Sequence, residues 1–149
     1  MLRFLQRFLG VMPAGDAGRD GERLAADWLR RERGFAIVAR NWRSPRDRRD
    51  EIDLVCRDGD TLVFVEVKAR AADALVPGYY AVDARKKRVL QRAAEAYLAR
   101  LREKPATFRL DVVEIALPVV APGARGGESS APQVLHFENV PLFGKHFRG

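Results

Sequence analysis

Residues 51–70, EIDLVCRDGDTLVFVEVKAR, constrain this chain more than any other stretch. Two strand-like runs, 51–57 and 61–68, flank Asp58-Gly59, a strong signal for a tight antiparallel hairpin. Successive side chains of a strand point to opposite faces. Glu51, Asp53 and Val55 therefore share a face of the first strand. Leu62, Phe64, Glu66 and Lys68 share a face of the second, with Val63, Val65 and Val67 behind them. The apolar alternation stops at Glu66 and Lys68, where charges replace the residues expected at the end of a core strand. With Asp58 and Gly59 as the loop, Arg57 opposes Asp60, Asp53 opposes Phe64 and Glu51 opposes Glu66. That register puts Asp53, Glu66 and Lys68 on one face, the two acids being diagonal neighbours at about 7–8 Å. A slip of one residue would send Asp53 to the other face.

The hairpin sits in an alternating pattern of helices and strands. Residues 18–33 read as a helix with Leu24, Ala25, Trp28 and Leu29 on one face, starting near Asp20 and stopping at Gly34. Residues 35–40 read as a strand, 41–50 as a loop, and 83–101 as a second amphipathic helix with Leu90, Ala93, Tyr97 and Leu101 on one stripe. Residues 108–115 and 134–138 read as further strands. Helix, three strands, helix, two strands is the order of an α/β domain with a central mixed sheet flanked by helices. Residues 117–133, rich in Pro, Gly, Ser and Ala, read as a flexible loop within a single domain spanning 18–149.

A chain of 149 residues, 47% hydrophobic and 32% charged, is the size and composition of one soluble domain. The lone cysteine, Cys56, excludes an intramolecular disulfide framework, and its alternation with Ile52 and Leu54 marks it as a small core residue. No apolar run is long enough to span a membrane. Arg3 and Arg7 interrupt the opening MLRFLQRFLG, so no signal-peptide core survives and a cytoplasmic location is expected. Residues 1–17 read as a frayed terminus or a short amphipathic segment with Leu2, Leu5, Phe8 and Leu9 on one side. The net charge of +7 and a pI near 10.2 favour a polyanionic partner.

Paired carboxylates need a reason to coexist. At about 4 Å and an effective dielectric near 20, two of them repel by on the order of 4 kcal/mol. Lys68 offsets part of that, and a divalent cation would offset more. Oxygen ligands with no neighbouring His or Cys favour Mg²⁺ over zinc. Glu22 precedes Ala25, Ala26 and Leu29 by three, four and seven residues, so the first helix turns it toward the sheet as a candidate third acid. Carboxylates plus a lysine suit metal-dependent phosphodiester hydrolysis, the lysine orienting water or neutralising charge on phosphorus. The ordinary alternative is a solvated strand edge bearing a Glu-Lys pair.

The D…E-x-K arrangement across a hairpin resembles the PD-(D/E)xK core of restriction-endonuclease-like folds. More specifically, the stretches GRDGERLAADWLRRERGFAIVARNWR, EIDLVCRDGDTLVFVEVKAR, AVDARKKRVLQRAAEAYL and FRLDVVEI resemble, in order, the YraN family of bacterial proteins. Members of that family are predicted endonucleases distantly similar to archaeal Holliday-junction resolvases. The resemblance implies Glu22, Asp53 and Glu66 as metal ligands and Lys68 as the catalytic lysine. It also implies Mg²⁺, with Mn²⁺ as a substitute, DNA that is branched or otherwise structured as substrate, and a homodimer as a possible assembly. Two features depart from the family: Asp50 stands where Gly is usual, and the loop between Asn41 and Glu51 is longer. The 117–133 segment resembles an insertion.

Nucleic-acid contacts are expected from two basic clusters. Arg40, Arg43, Arg46, Arg48 and Arg49 crowd one loop around Trp42, and Arg85, Lys86, Lys87 and Arg88 open the second helix, where cations oppose the macrodipole. Of these, the resemblance makes Lys86 the one that reaches the site. Trp42 could stack on an unpaired base, but closing the core is the favoured reading. Arg109 and Asp111 read as structural, and His136 and His146 receive no role. The function expected is a Mg²⁺-dependent DNA endonuclease. A non-catalytic nucleic-acid-binding module is the alternative, and an adaptor using the N-terminal apolar segment is a third reading.

Overall fold

The computed structural model describes residues 14–71, 82–117 and 131–143. Most of the expected N-terminal segment, most of the 117–133 loop and His146 lie outside the described residues. The elements are α1 (Ala14–Glu32), β1 (Ala36–Arg43), β2 (Glu51–Asp58), β3 (Thr61–Ala71), α2 (Ala84–Arg100), β4 (Thr107–Leu117) and β5 (Gln133–Phe137). The five strands form one sheet in sequence order. All neighbours pair antiparallel except β3 and β4, which run parallel because α2 carries the chain back between them. The architecture is the expected α/β one, a mixed sheet flanked by two helices, and is consistent with a restriction-endonuclease-like fold.

Each helix covers one sheet face. On one side Leu90, Ala93, Ala94 and Tyr97 of α2 pack on Val55, Leu62, Phe64, Leu110 and Val112. On the other, Ala25, Ala26 and Leu29 of α1 pack with Phe35 on Leu54, Cys56, Val63, Val65, Val113 and Ile115. Fully burying one such Leu or Phe stabilises by about 1.5–3 kcal/mol, so both faces contribute to holding the sheet. Helix α1 reaches the sheet closely at Gly21, its eighth residue: a Cβ there would lie 2.7 Å from the Ala69 Cβ on β3. Only glycine lets the helix, and Glu22 with it, come that near.

The hairpin register differs from the expected one. Asp58 pairs with Thr61, Arg57 with Leu62 and Val55 with Phe64, so the two loop residues are Gly59 and Asp60, with Gly59 at φ +58°. Glycine at the first loop position supplies the positive φ of a type II′ turn. Arg57 therefore does not oppose Asp60, nor Asp53 Phe64. The shift is two residues, so side-chain parity survives. A second departure lies in β1, which continues through Asn41 at φ +47° into residues read as loop. Alternation breaks there. Ala39 and Trp42, three apart, both pack on the α2 side, as do Ile52 and Val55 across from them. Ile52 thus faces away from Leu54 and Cys56, contrary to strict alternation.

Candidate acidic site

Pairing between β2 and β3 stops at Leu54 and Val65, with Asp53 and Glu66 the residues just past its end. Beyond this point the ladder is replaced by a side chain, the Val67 N–H donating to Asp53 Oδ2 at 2.8 Å. Asp53 and Glu66 are both buried, at 7% and 2% exposure. Burial, then the charge of Glu66, pushes the Asp53 carboxyl up to about 7, against the opposing pull of the Val67 N–H and Lys86.

Glu66 is asymmetrically solvated by the protein. Its Oε1 is 3.0 Å from Lys68 Nζ and 3.3 Å from Lys86 Nζ, while its buried Oε2 has no hydrogen-bond partner among the described residues. Lys68 comes from the same strand two residues on, and Lys86 from the first turn of α2. That turn is fixed by Asp83, whose Oδ1 accepts the Lys86 N–H at 2.8 Å. This bond, with the nearby Arg85 and Lys68 charges, holds the Asp83 carboxyl below its ordinary range. The cations at the start of α2 are thereby compensated by a capping carboxylate and by Glu66.

Glu22, half-buried on α1, acts on Asp53 through its charge and raises that carboxyl further. Among the described residues, however, no group of three or more His, Cys, Asp or Glu is arranged to hold a metal ion. The acids converge as a pair with a third carboxylate near them. The basic loop residues are sorted by their partners. Arg43 pairs with Glu51 at 2.8 Å and Arg49 with Asp47 at 2.8 Å, whereas Arg46 and Arg48 are exposed and make no ion pair among the described residues. Lys87 and Arg88 follow Lys86 on α2, Arg88 exposed. Trp42 closes the core instead of offering a stacking face. Its ring meets Tyr97 edge-on at 5.2 Å, with the Arg100 guanidinium 5.8 Å from its centre.

Three features escaped the sequence reading. Asp50 is buried and takes the Arg92 side chain of α2 in three hydrogen bonds of 2.7–3.2 Å. Glu114 on β4 is fully buried, its two oxygens lack hydrogen-bond partners among the described residues, and burial pushes its carboxyl up. The signal for it was a lone charge in the apolar run DVVEIAL. His136, given no role, donates through Nε2 to the Asp111 carboxylate at 2.9 Å. Asp111 also accepts from Arg109 and from the Asn139 N–H, so the expected structural role of the Arg109–Asp111 pair extends to a buried hub.

A family model described as "Uncharacterised protein family UPF0102" matches residues 21–115, more than half of the chain. A UPF0102 protein of Geobacter metallireducens is 38% identical over 123 residues, covering 83% of this chain and 89% of the relative. One from Symbiobacterium thermophilum is 47% identical over 98 residues, covering 66% and 80%. One from Pseudomonas aeruginosa is 44% identical over 103 residues, covering 67% and 78%. The matched span runs from Gly21 of α1 to Ile115 of β4, and so contains every residue of the acidic site.

Proposed function

The chain belongs to the uncharacterised protein family UPF0102, the YraN family, and from that premise and the acidic pair we propose that it is a metal-dependent endonuclease that hydrolyses phosphodiester bonds in DNA, branched or structured DNA in particular. The observation that carries the reading is the Glu66 carboxylate: buried, pinned through Oε1 by two lysines, with Oε2 unpartnered among the described residues and a charge that raises the Asp53 carboxyl. A buried acceptor with nothing to accept from is rare in folded proteins. Hard oxygens with no nitrogen or sulfur ligand among them suit Mg²⁺ or Mn²⁺. Asp53 and Glu66 would hold such an ion, with Glu22 contributing charge. When bound, it would polarise a phosphoryl oxygen and acidify a water.

The chain's own groups do the rest. Lys68, held against Glu66 Oε1, is positioned to donate to an attacking water or to the charge that builds on phosphorus. Lys86 shares that oxygen and can give it up to a phosphate. Asp53, with a carboxyl near 7, gives up a proton more readily as an incoming cation replaces the repulsion from Glu66.

A second reading, a nucleic-acid-binding module without catalysis, is favoured by one observation: the lysines already neutralise Glu66, and no three-acid metal group exists among the described residues. One screen separates the two. Purified protein is incubated with single-stranded, duplex, flap and four-way-junction DNA, with Mg²⁺ or Mn²⁺. Under the enzyme reading wild type cleaves at least one substrate, and Glu66→Ala and Lys68→Ala each lose about 100-fold or more. Equal cleavage by wild type and Glu66→Ala would remove the assigned roles. Salt-sensitive binding indifferent to EDTA, without cleavage, would favour the second reading.

A further inference from the structure

The arginine-bearing loop between β1 and β2 is folded on itself and fastened to α2. The Ser44 N–H donates to the Asp50 carbonyl at 2.9 Å, and the Asp50 N–H to the Asp47 carbonyl at 3.0 Å. Ser44 is buried, and its hydroxyl accepts from the Arg46 N–H at 3.3 Å. The Asp50 side chain leaves this turn and grips Arg92, whose Nε and Nη2 reach Oδ1 at 3.2 and 2.7 Å and whose Nε reaches Oδ2 at 3.0 Å. Both loop acids are thus committed to arginines, Asp47 to Arg49 and Asp50 to Arg92, while Arg46 and Arg48 remain exposed with no ion pair among the described residues. On α2, Arg85, Arg88 and Arg92 are spaced three and four apart, one stripe of the helix. The same helix is fastened to the acidic pair through Lys86, six residues or about 9 Å along its axis from Arg92.

We propose that the Asp50–Arg92 pair is a positioning device: it sets Arg46 and Arg48 beside the Arg85–Arg88 stripe, so that loop and helix form one phosphate-binding rim at a fixed offset from Glu66. The partner is a nucleic-acid backbone, and the proposal rests on the nucleic-acid part of the reading above. Geometry and plain charge make opposite predictions here. Removing Asp50 deletes a negative charge from a surface meant for phosphates, so simple Coulomb attraction predicts tighter binding. Loss of a positioning device predicts weaker binding.

The test uses the full chain and a short labelled duplex in EDTA, with affinity measured across a salt series. Arg46→Ala/Arg48→Ala is expected to weaken binding and to lower the log–log salt slope by about two. Asp50→Ala is expected to weaken binding about tenfold with the same fall in slope. Arg92→Gln removes the fastening from the exposed side and does not open the core; because it also removes one cation, it serves, should Asp50→Ala fail to melt cooperatively, only through a fall in salt slope of more than about one, a smaller fall overturning the proposal. The Asp50→Ala/Arg92→Gln double variant is expected to bind no worse than the weaker single variant. Unchanged or tighter binding by Asp50→Ala, or additive losses in the double variant, would overturn the proposal while leaving the functional reading in place if Arg46→Ala/Arg48→Ala is weakened. Wild type without duplex affinity at low salt would overturn both. Rim behaviour as expected, with no Mg²⁺-dependent cleavage of any substrate, would remove the nuclease reading and keep this one.

Discussion

Asp53 is where a single residue shows the tension between folding and function. Its carboxyl stays protonated up to about pH 7 in the folded chain, whereas an unburied one ionises near 3.8. Between those values folding takes up a proton, so stability falls as pH rises, and the loss is complete above the folded value. Asp53→Asn, measured in EDTA, is therefore expected to melt at least about 3 °C above wild type at pH 8 and to converge with it near pH 4. Equal melting temperatures at pH 8 would mean that the Glu66 lysines already neutralise the pair. Glu66, Lys68 and Asp53 were readable from the sequence as chemistry, because Glu66 and Lys68 break an apolar alternation and Asp53 stands on the facing strand of the same hairpin. The register between the two strands was not, because it follows from which two residues make the turn.

Turn and close approach act at the level of elements. Moving the loop from Asp58-Gly59 to Gly59-Asp60 shifts β3 by two residues, so that Asp53 and Glu66 both stand just past the last paired residues, Leu54 and Val65. Helix α1 reaches this end of the sheet only because Gly21 leaves room for Ala69. Gly21→Ala is expected to force the helix outward and destabilise by about 1–3 kcal/mol, as overpacking does, even though alanine is the better helix former. Thermal melting checks it, and a gain in stability would mean that the helix shifts freely. On the far strands Asp111 binds Arg109, His136 and the Asn139 amide, fastening β5 and the segment after it to β4. Asp111→Ala leaves the buried His136 imidazole and the Asn139 N–H without their acceptor, Arg109 keeping only Asp58, and is expected to cost about 1–3 kcal/mol in a denaturant titration.

For the molecule as a whole, the two helices sandwich the sheet so completely that Cys56, on the α1 face, is 0% exposed and its thiol is pushed up to about 12 by burial. Native protein is expected to resist a thiol-specific reagent, its labelling rate rising with denaturant in step with global unfolding. Fast labelling without denaturant would reveal local opening of that face. No helix among the described residues is long and apolar enough to cross a membrane. The sequence by itself determined the order of elements, the two amphipathic helix faces and the residue types of the site, because periodicity and charge placement are local properties of a chain. Only the tertiary structure decided the turn register, the break of alternation at Asn41, the arrival of Lys86 on Glu66 and the fastening of Asp50 to Arg92. Those depend on how α2 packs on the sheet, which joins residues tens of positions apart and is set by the summed fit of two buried faces.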